Sequence, residues 1–176
     1  SSMTILNMAT VHARHGDAGK AESCLAKALK ITPESGAAHF NMGLLKAEKG
    51  DGNGAETHLR AALQADPSMA QAAYNLALLL AGSRTQESMQ WSAKAFDLQP
   101  NPKYGFTLAY LYRQNSRLED AIEVLKGVNL KWSAYGDAYL LLGEIYLKQG
   151  RPEEIQALYR RALEVEGLSG PYRLRM

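Results

Sequence analysis

The strongest constraint on this chain is that it repeats itself. Asn7, Asn41 and Asn75 recur at intervals of 34 and 34 residues, in LNMATV, FNMGLL and YNLALL. Pro33, Pro67 and Pro100 recur at intervals of 34 and 33. Small residues keep the same register: Ala9, Gly43, Ala77, Ala109 and Gly143 are spaced 34, 34, 32 and 34. Further along each period run Ala21, Ala55, Ser88 and Ala121, with Ile155 as the exception, and then Ala28, Ala62, Ala95, Val128 and Ala162. Such a chain builds one small unit several times, and each unit leans on its neighbours to bury its apolar face. At 176 residues the chain is long enough to bury a core as one domain or as a repeat array.

Within each period the apolar positions fall three and four apart, as in MGLLKAEKG followed by AETHLRAALQADP. That is the helical period and not the alternation of a strand. The punctuation agrees. Gly16, Gly50 and Gly150 suit the end of a first helix. Asp17 and Asp51 can cap a second helix, and Pro152 suits its first turn. Pro33, Pro67 and Pro100 cannot continue a helix interior and so stop the second helix. These signals predict ten helices in five antiparallel pairs, over residues 2–35, 36–69, 70–101, 102–135 and 136–169, with a tail at 170–176.

Composition excludes several classes. With 20 Lys plus Arg against 18 Asp plus Glu, a net charge of +2 gives no reason to expect nucleic acid or an acidic membrane surface as partner. The one cysteine, Cys24, rules out an internal disulfide framework and reads as a packing residue. The longest strongly apolar run, Leu76 to Ala81, is far too short to span a membrane. No basic stretch followed by an apolar signal core opens the chain, which leaves a cytoplasmic or a bacterial periplasmic location open. His12 and His15 are three apart on one helix but have no acidic or thiol residue at a matching spacing, so no metal is expected. GDGNG (50–54) lacks the Lys-Ser/Thr of a phosphate loop and reads as a loose inter-helix turn. No acid/base pair, nucleophile or haem-attachment motif is evident, so the chain reads as a non-enzyme without a cofactor.

The pattern resembles the tetratricopeptide repeat (TPR) family, whose signature is W-x2-L-G-x2-Y, then A-x3-F, then A and P in 34 residues. The fifth unit carries Leu142, Gly143, Tyr146, Tyr159 and Ala162. The second carries Met42, Gly43, Ala55, Leu59, Ala62 and Pro67, and the first carries Met8, Ala9, Ala21, Leu25, Ala28 and Pro33. The third and fourth depart from it. The third is one residue short in its inner turn and has Ser92 at a large apolar slot, and the fourth has Ser133 in place of the proline. The resemblance implies an all-α, right-handed superhelical solenoid, with first helices on the concave side and second helices on the convex side. It also implies a scaffold that binds a peptide or helix of a partner in the concave groove.

By that resemblance, the residues before the Leu/Gly pair face the groove: Asn7, Asn41 and Asn75, then Thr107 and Leu141. An Asn amide carries both a donor and an acceptor, so it can bond both edges of an extended backbone. Asn at this place is also common in members without a ligand, and both readings stay open. One residue earlier run Leu6, Phe40, Tyr74, Phe106 and Leu140, and three or four later run Thr10, Leu44, Leu78, Tyr110 and Glu144. Leucines and aromatics with amides between them suit an apolar or amphipathic segment. Co-chaperone members clamp an acidic EEVD-type tail with Lys, Asn and Arg, but the matching slots here hold Leu6, Phe40 and Gln71. Only Lys103 and Arg113 are cationic on that side, so such a chaperone tail is not expected, although these two could meet an acidic residue of a partner. Tyr104, Tyr110 and Tyr139 are candidate interface aromatics.

Two further expectations concern context. Leu158, Ala162 and Val165 would form an apolar edge on the last helix, open to self-association through terminal helices or to another segment of a larger protein. AQAAYNLALLL and PKYGFTLAYLYRQ are also similar to TPR segments attached to bacterial multihaem cytochromes, which would make the chain a structural or docking module with its haems elsewhere.

Overall fold

The protein is described by a computed structural model over residues 1–165. Among these residues every regular element is a helix, and the ten helices pack in sequential antiparallel pairs. The chain clusters into two compact units, one ending at Leu98 and the other starting at Gln99. The first holds α1 (Ser2–Arg14), α2 (Ala18–Ile31), α3 (Gly36–Glu48), α4 (Gly52–Ala65), α5 (Ala70–Leu80) and α6 (Thr85–Leu98). The second holds α7 (Pro102–Gln114), α8 (Leu118–Lys131), α9 (Gly136–Gln149) and α10 (Pro152–Glu164). The tail expected at 170–176 lies outside the described residues.

Five helices, α1, α2, α3, α4 and α7, start where a side chain accepts from an orphan amide of the first turn. The Asp17 carboxylate accepts from the Lys20 amide at 3.1 Å, and that of Asp51 accepts from the Gly54 amide at 2.9 Å. Asn101 caps α7 in the same way at 3.0 Å. Pro102 and Pro152 sit in first turns, where no amide hydrogen is needed. Gly16, Gly50 and Gly150 leave their helices with φ of 76°, 77° and 66°, a left-handed step that glycine takes without a Cβ penalty. Ser116 makes the same step after α7 with φ of 60° and bears that strain. The GDGNG stretch is not a loose turn. Gly52 and Gly54 form the first turn of α4, and the Asp51 carboxylate occupies the space that a Cβ at position 54 would need.

The small-residue series lies where paired helices touch. Ala9, Ala21, Ala28, Ala55, Ala62, Ala77, Ala95, Ala109, Ala121 and Ala162 are all essentially inaccessible. Around them pack Leu25, Met42, Leu45, Leu59 and Leu76 in the first unit, and Leu125, Leu142 and Ile145 in the second. Cys24 packs against the Leu25 cluster, as expected. Several tyrosines differ from the sequence expectation. Tyr104 and Tyr139 are core residues, 8% and 0% exposed, and only Tyr110 of the three reaches the surface, at 39%. Likewise Leu158 and Ala162 are buried, so the exposed apolar residues here are Leu147, Tyr159 and Leu163 instead.

The pairs are not equally close. A Cβ built on Gly43 would stand 2.9 Å from Leu59 Cγ and 3.3 Å from the Ala55 carbonyl oxygen. At the equivalent Gly143 the nearest atom, Leu158 Cδ2, is 3.7 Å away, an ordinary contact. Gly43→Ala must therefore push α3 from α4, with an overpacking cost that outweighs the helix propensity gained, for a net loss of about 1 kcal/mol. Gly143→Ala has room and should gain up to about 1 kcal/mol. Urea unfolding midpoints of the two variants should move in opposite directions, and equal shifts would contradict this packing difference.

Candidate functional site

Within the first unit α1, α3 and α5 lie side by side, because α1 packs on α3 and α3 on α5. This layer carries the residues expected to read a ligand. Asn7 is exposed and Asn41 half-buried, and no hydrogen bond among the described residues engages either amide. Asn75 differs: its Nδ2 donates to the Gln71 carbonyl at 2.8 Å, so part of its bonding capacity is spent within α5. Asn41 and Leu44 border a hollow of about 180 Å³ between α1 and α3, whose other walls include Ala9, Thr10 and Leu45. The flanking apolar residues divide. Leu78 is exposed and Phe40 and Leu44 are half-buried, whereas Leu6 packs on the core and Tyr74 is buried at 7%.

In the second unit α7 and α9 are neighbours, and α7 presents an aromatic cluster. Phe106 stacks on Tyr110 with centroids 6.4 Å apart and meets Tyr135 edge-on at 6.1 Å. The Arg113 guanidinium lies over the Tyr110 ring at 5.2 Å and donates to Glu144 at 2.5 Å, joining α7 to α9. Gln114 donates to the Tyr110 hydroxyl at 2.7 Å. Arg113 is thus already partnered by a carboxylate, which reduces the charge it offers to an acidic segment. Lys103 is exposed one turn before Phe106, and its backbone carbonyl accepts from the Thr107 hydroxyl at 2.9 Å. Leu141 is buried and faces the core, while Leu140 is half-buried.

The tetratricopeptide repeat profile matches residues 41–101 and 106–169, well over half of the chain. The chain belongs to the tetratricopeptide repeat family. No curated protein matches the sequence. Among solved structures it is similar to MamA, with 22% identity, 89% of this chain and 92% of that chain covered, and a TM-score of 0.79. It is similar to YrrB, described as a TPR protein with an unusual peptide-binding site, with 16% identity, coverage of 99% and 90%, and a TM-score of 0.79. It is also similar to PilF of Pseudomonas aeruginosa, with 18% identity, coverage of 97% and 79%, and a TM-score of 0.76. At these identities the likeness establishes the fold: sequential antiparallel helix pairs matching TPR superhelical structures.

As a TPR chain it spends its charges on joining repeats. Glu22 on α2 accepts from Lys46 at 2.9 Å and from Lys49 at 2.6 Å, both on or just after α3. One period later Glu56 pairs with Arg60 at 2.8 Å and with Arg84, and Arg60 reaches Glu87 on α6 at 2.5 Å. These links follow the register, since Glu22 to Lys49 and Arg60 to Glu87 are each 27 residues apart. The histidines also pair differently from the His12/His15 grouping. His39 and His58 lie Nδ1 to Nδ1 at 2.9 Å, and His39 Nε2 lies 2.9 Å from the Pro33 carbonyl, which can only accept. Neutral His39 therefore carries its proton on Nε2, and the His58 Nδ1–H donates. Burial, then the neighbouring His39, holds His58 below its ordinary pKa. Among the described residues no group of three or more His, Cys, Asp or Glu converges as metal ligands would, and no helix is long and apolar enough to cross a membrane.

The Lys49 and Lys46 ammonium groups hold the Glu22 carboxyl down to about 2. The unfolded chain binds that proton near the ordinary value of about 4.3. The pair therefore stabilises above that value and is lost as pH falls towards 2. Glu22→Gln should cost about 1 kcal/mol at pH 7, the upper end for a surface network. Denaturant unfolding of both forms between pH 7 and pH 2 should show this gap closing with acid. A gap independent of pH would show that packing, not charge, is lost.

Proposed function

We propose that this chain is a non-catalytic interaction scaffold that binds an extended, apolar or amphipathic segment of a partner protein along the first helices of residues 1–98. The observation that carries this reading is the pair of unengaged amides, Asn7 and Asn41, one repeat apart on adjacent helices. Each supplies a donor and an acceptor, beside Phe40, Leu44 and the hollow between α1 and α3. An extended backbone satisfies both edges of such amides while its apolar side chains enter the hollow. The Gln71 bond makes Asn75 the weaker rung. Family membership and the peptide-binding site recorded for YrrB support the reading. Taken by itself, the second unit offers similar chemistry on α7, at Phe106, Tyr110 and Lys103, with Arg113 held by Glu144.

Peptides selected from a displayed library on the full chain should weaken about 3–10-fold with Asn7→Ala or Asn41→Ala, the loss of one net hydrogen bond of about 0.5–1.5 kcal/mol. Asn75→Ala should weaken them less. Selected peptides whose affinity by calorimetry is unchanged in an Asn7→Ala/Asn41→Ala double variant would overturn the reading.

A second reading, self-association, rests on one repeat slot. Met42 and Leu76 occupy it at 5% and 0% exposure, while Met8 on α1 is 50% exposed, beside Met3 at 67% and Val11 at 54%. The equivalent residues are covered by a neighbouring helix, and a second copy could cover this face of α1. Light scattering should then show concentration-dependent association that Met8→Lys abolishes. A monomer at the highest soluble concentration would remove this reading.

A further inference from the structure

In the first unit one hydrogen-bond chain joins three segments. His58 of α4 donates from Nδ1 to Nδ1 of His39 on α3 at 2.9 Å, and His39 donates from Nε2 to the Pro33 carbonyl in the α2–α3 turn at 2.9 Å. The ring centres are 5.2 Å apart, so the two Nδ1 atoms meet head-on. Both rings are half-buried. A neutral imidazole has one donor and one acceptor, and on His39 the chain uses both. The free nitrogen of His58 is Nε2, and a proton taken there leaves the Nδ1–H donating. A second proton has to go to His39 Nδ1, the atom that accepts. Two N–H donors then face each other and both rings carry charge, which a separation of 2.9 Å does not tolerate.

We propose that the His39–His58 contact is a two-proton switch: it survives the first proton and opens on the second, with the His58 ring turning away from α3 while His39 stays on Pro33. His58 is the ring that leaves because, among the described residues, His39 is its one hydrogen-bond partner, whereas His39 keeps a bond to Pro33 that its own charge strengthens. The surroundings favour the neutral pair. Burial first, then the charges of His39 and Lys46, hold His58 below its ordinary pKa, and Asp51 opposes them. On α4, Glu56 and Arg60 are engaged with each other and with residues at and before α6. Glu34 in the turn is exposed, and α5, which packs on α4, has no charged residue. The opening is local. The Gly43 contact with Leu59 and Ala55 holds no titratable group, and the Glu22 carboxyl that joins α2 to α3 is held down to about 2, so it stays charged while the histidines part. An unfolded histidine takes up its proton near the ordinary value of about 6.5. With the folded value lower, the unfolded chain binds more protons, so the contact stabilises fully above that value and its contribution is lost as pH falls below it.

The test is imidazole nitrogen NMR on the full chain between pH 8 and pH 4. At pH 8 a scalar coupling across the Nδ1–H···Nδ1 bond is expected, with the neutral His39 proton on Nε2 and that of His58 on Nδ1. On acidification the pair should take up its protons in two macroscopic steps, and the coupling should outlast the first and vanish with the second. His58→Gln keeps a donor that takes up no proton, so its Tm should fall less between pH 7 and pH 5 than that of the native chain. The proposal is overturned by an absence of coupling at pH 8, by two rings that titrate independently, by a coupling that persists when both are charged, or by an equal loss of Tm. If His58→Gln does not fold, the titration of the native chain decides.

Discussion

The structure depends on how closely two helices of a pair can approach. Helix axes come near only where one or both surfaces lack bulk, and here alanine and glycine recur once per period to supply that. Gly43 against Leu59 and Ala55 is the tightest example among the described glycines for which a packed neighbour is recorded on the partner helix. Because the contact sits at one register, the turn length, the caps and the next repeat must all keep that register. Each unit thereby offers the next the same apolar face.

Two consequences follow from a fixed register. Groups 27 residues apart meet across consecutive units, which is why Glu22 finds Lys49 and Arg60 finds Glu87. Groups one period apart line up on one layer, which brings Asn7 and Asn41 onto neighbouring helices. The first relation ties repeats together, and the second sets equivalent side chains in a row for a ligand that is itself periodic, such as an extended chain. The scaffold and the proposed reading face are thus two outcomes of one spacing.

The helices, their ends and the small-residue contacts were legible in the sequence because each rests on local chemistry. Asp17, Asp51, Pro152, Gly16 and Gly150 act within a few residues of themselves. Side-chain engagement was less legible. That Asn75 spends its amide on Gln71, or Arg113 on Glu144, depends on rotamers that spacing does not set. The histidine pair could have been found: with Gly43 facing Ala55, one turn back along α3 and one turn on along α4 lead to His39 and His58. Tyr104 and Tyr139 misled because tyrosine suits both an interface and a core, and only the packing of neighbours decides between them.

The α9–α10 pair keeps the register but relaxes the distance, as the open space at Gly143 shows. The hollow beside Gly143 also borders Tyr139 of α9, whose buried hydroxyl has no hydrogen-bond partner. A tightly closed pair such as α3–α4 has no such room: the space where a cavity would lie is filled by Leu59. Repetition supplies the contact that closes each pair. What the pattern does not supply, as at Gly127 and Asn129 of α8, is a neighbour close enough to complete the contact.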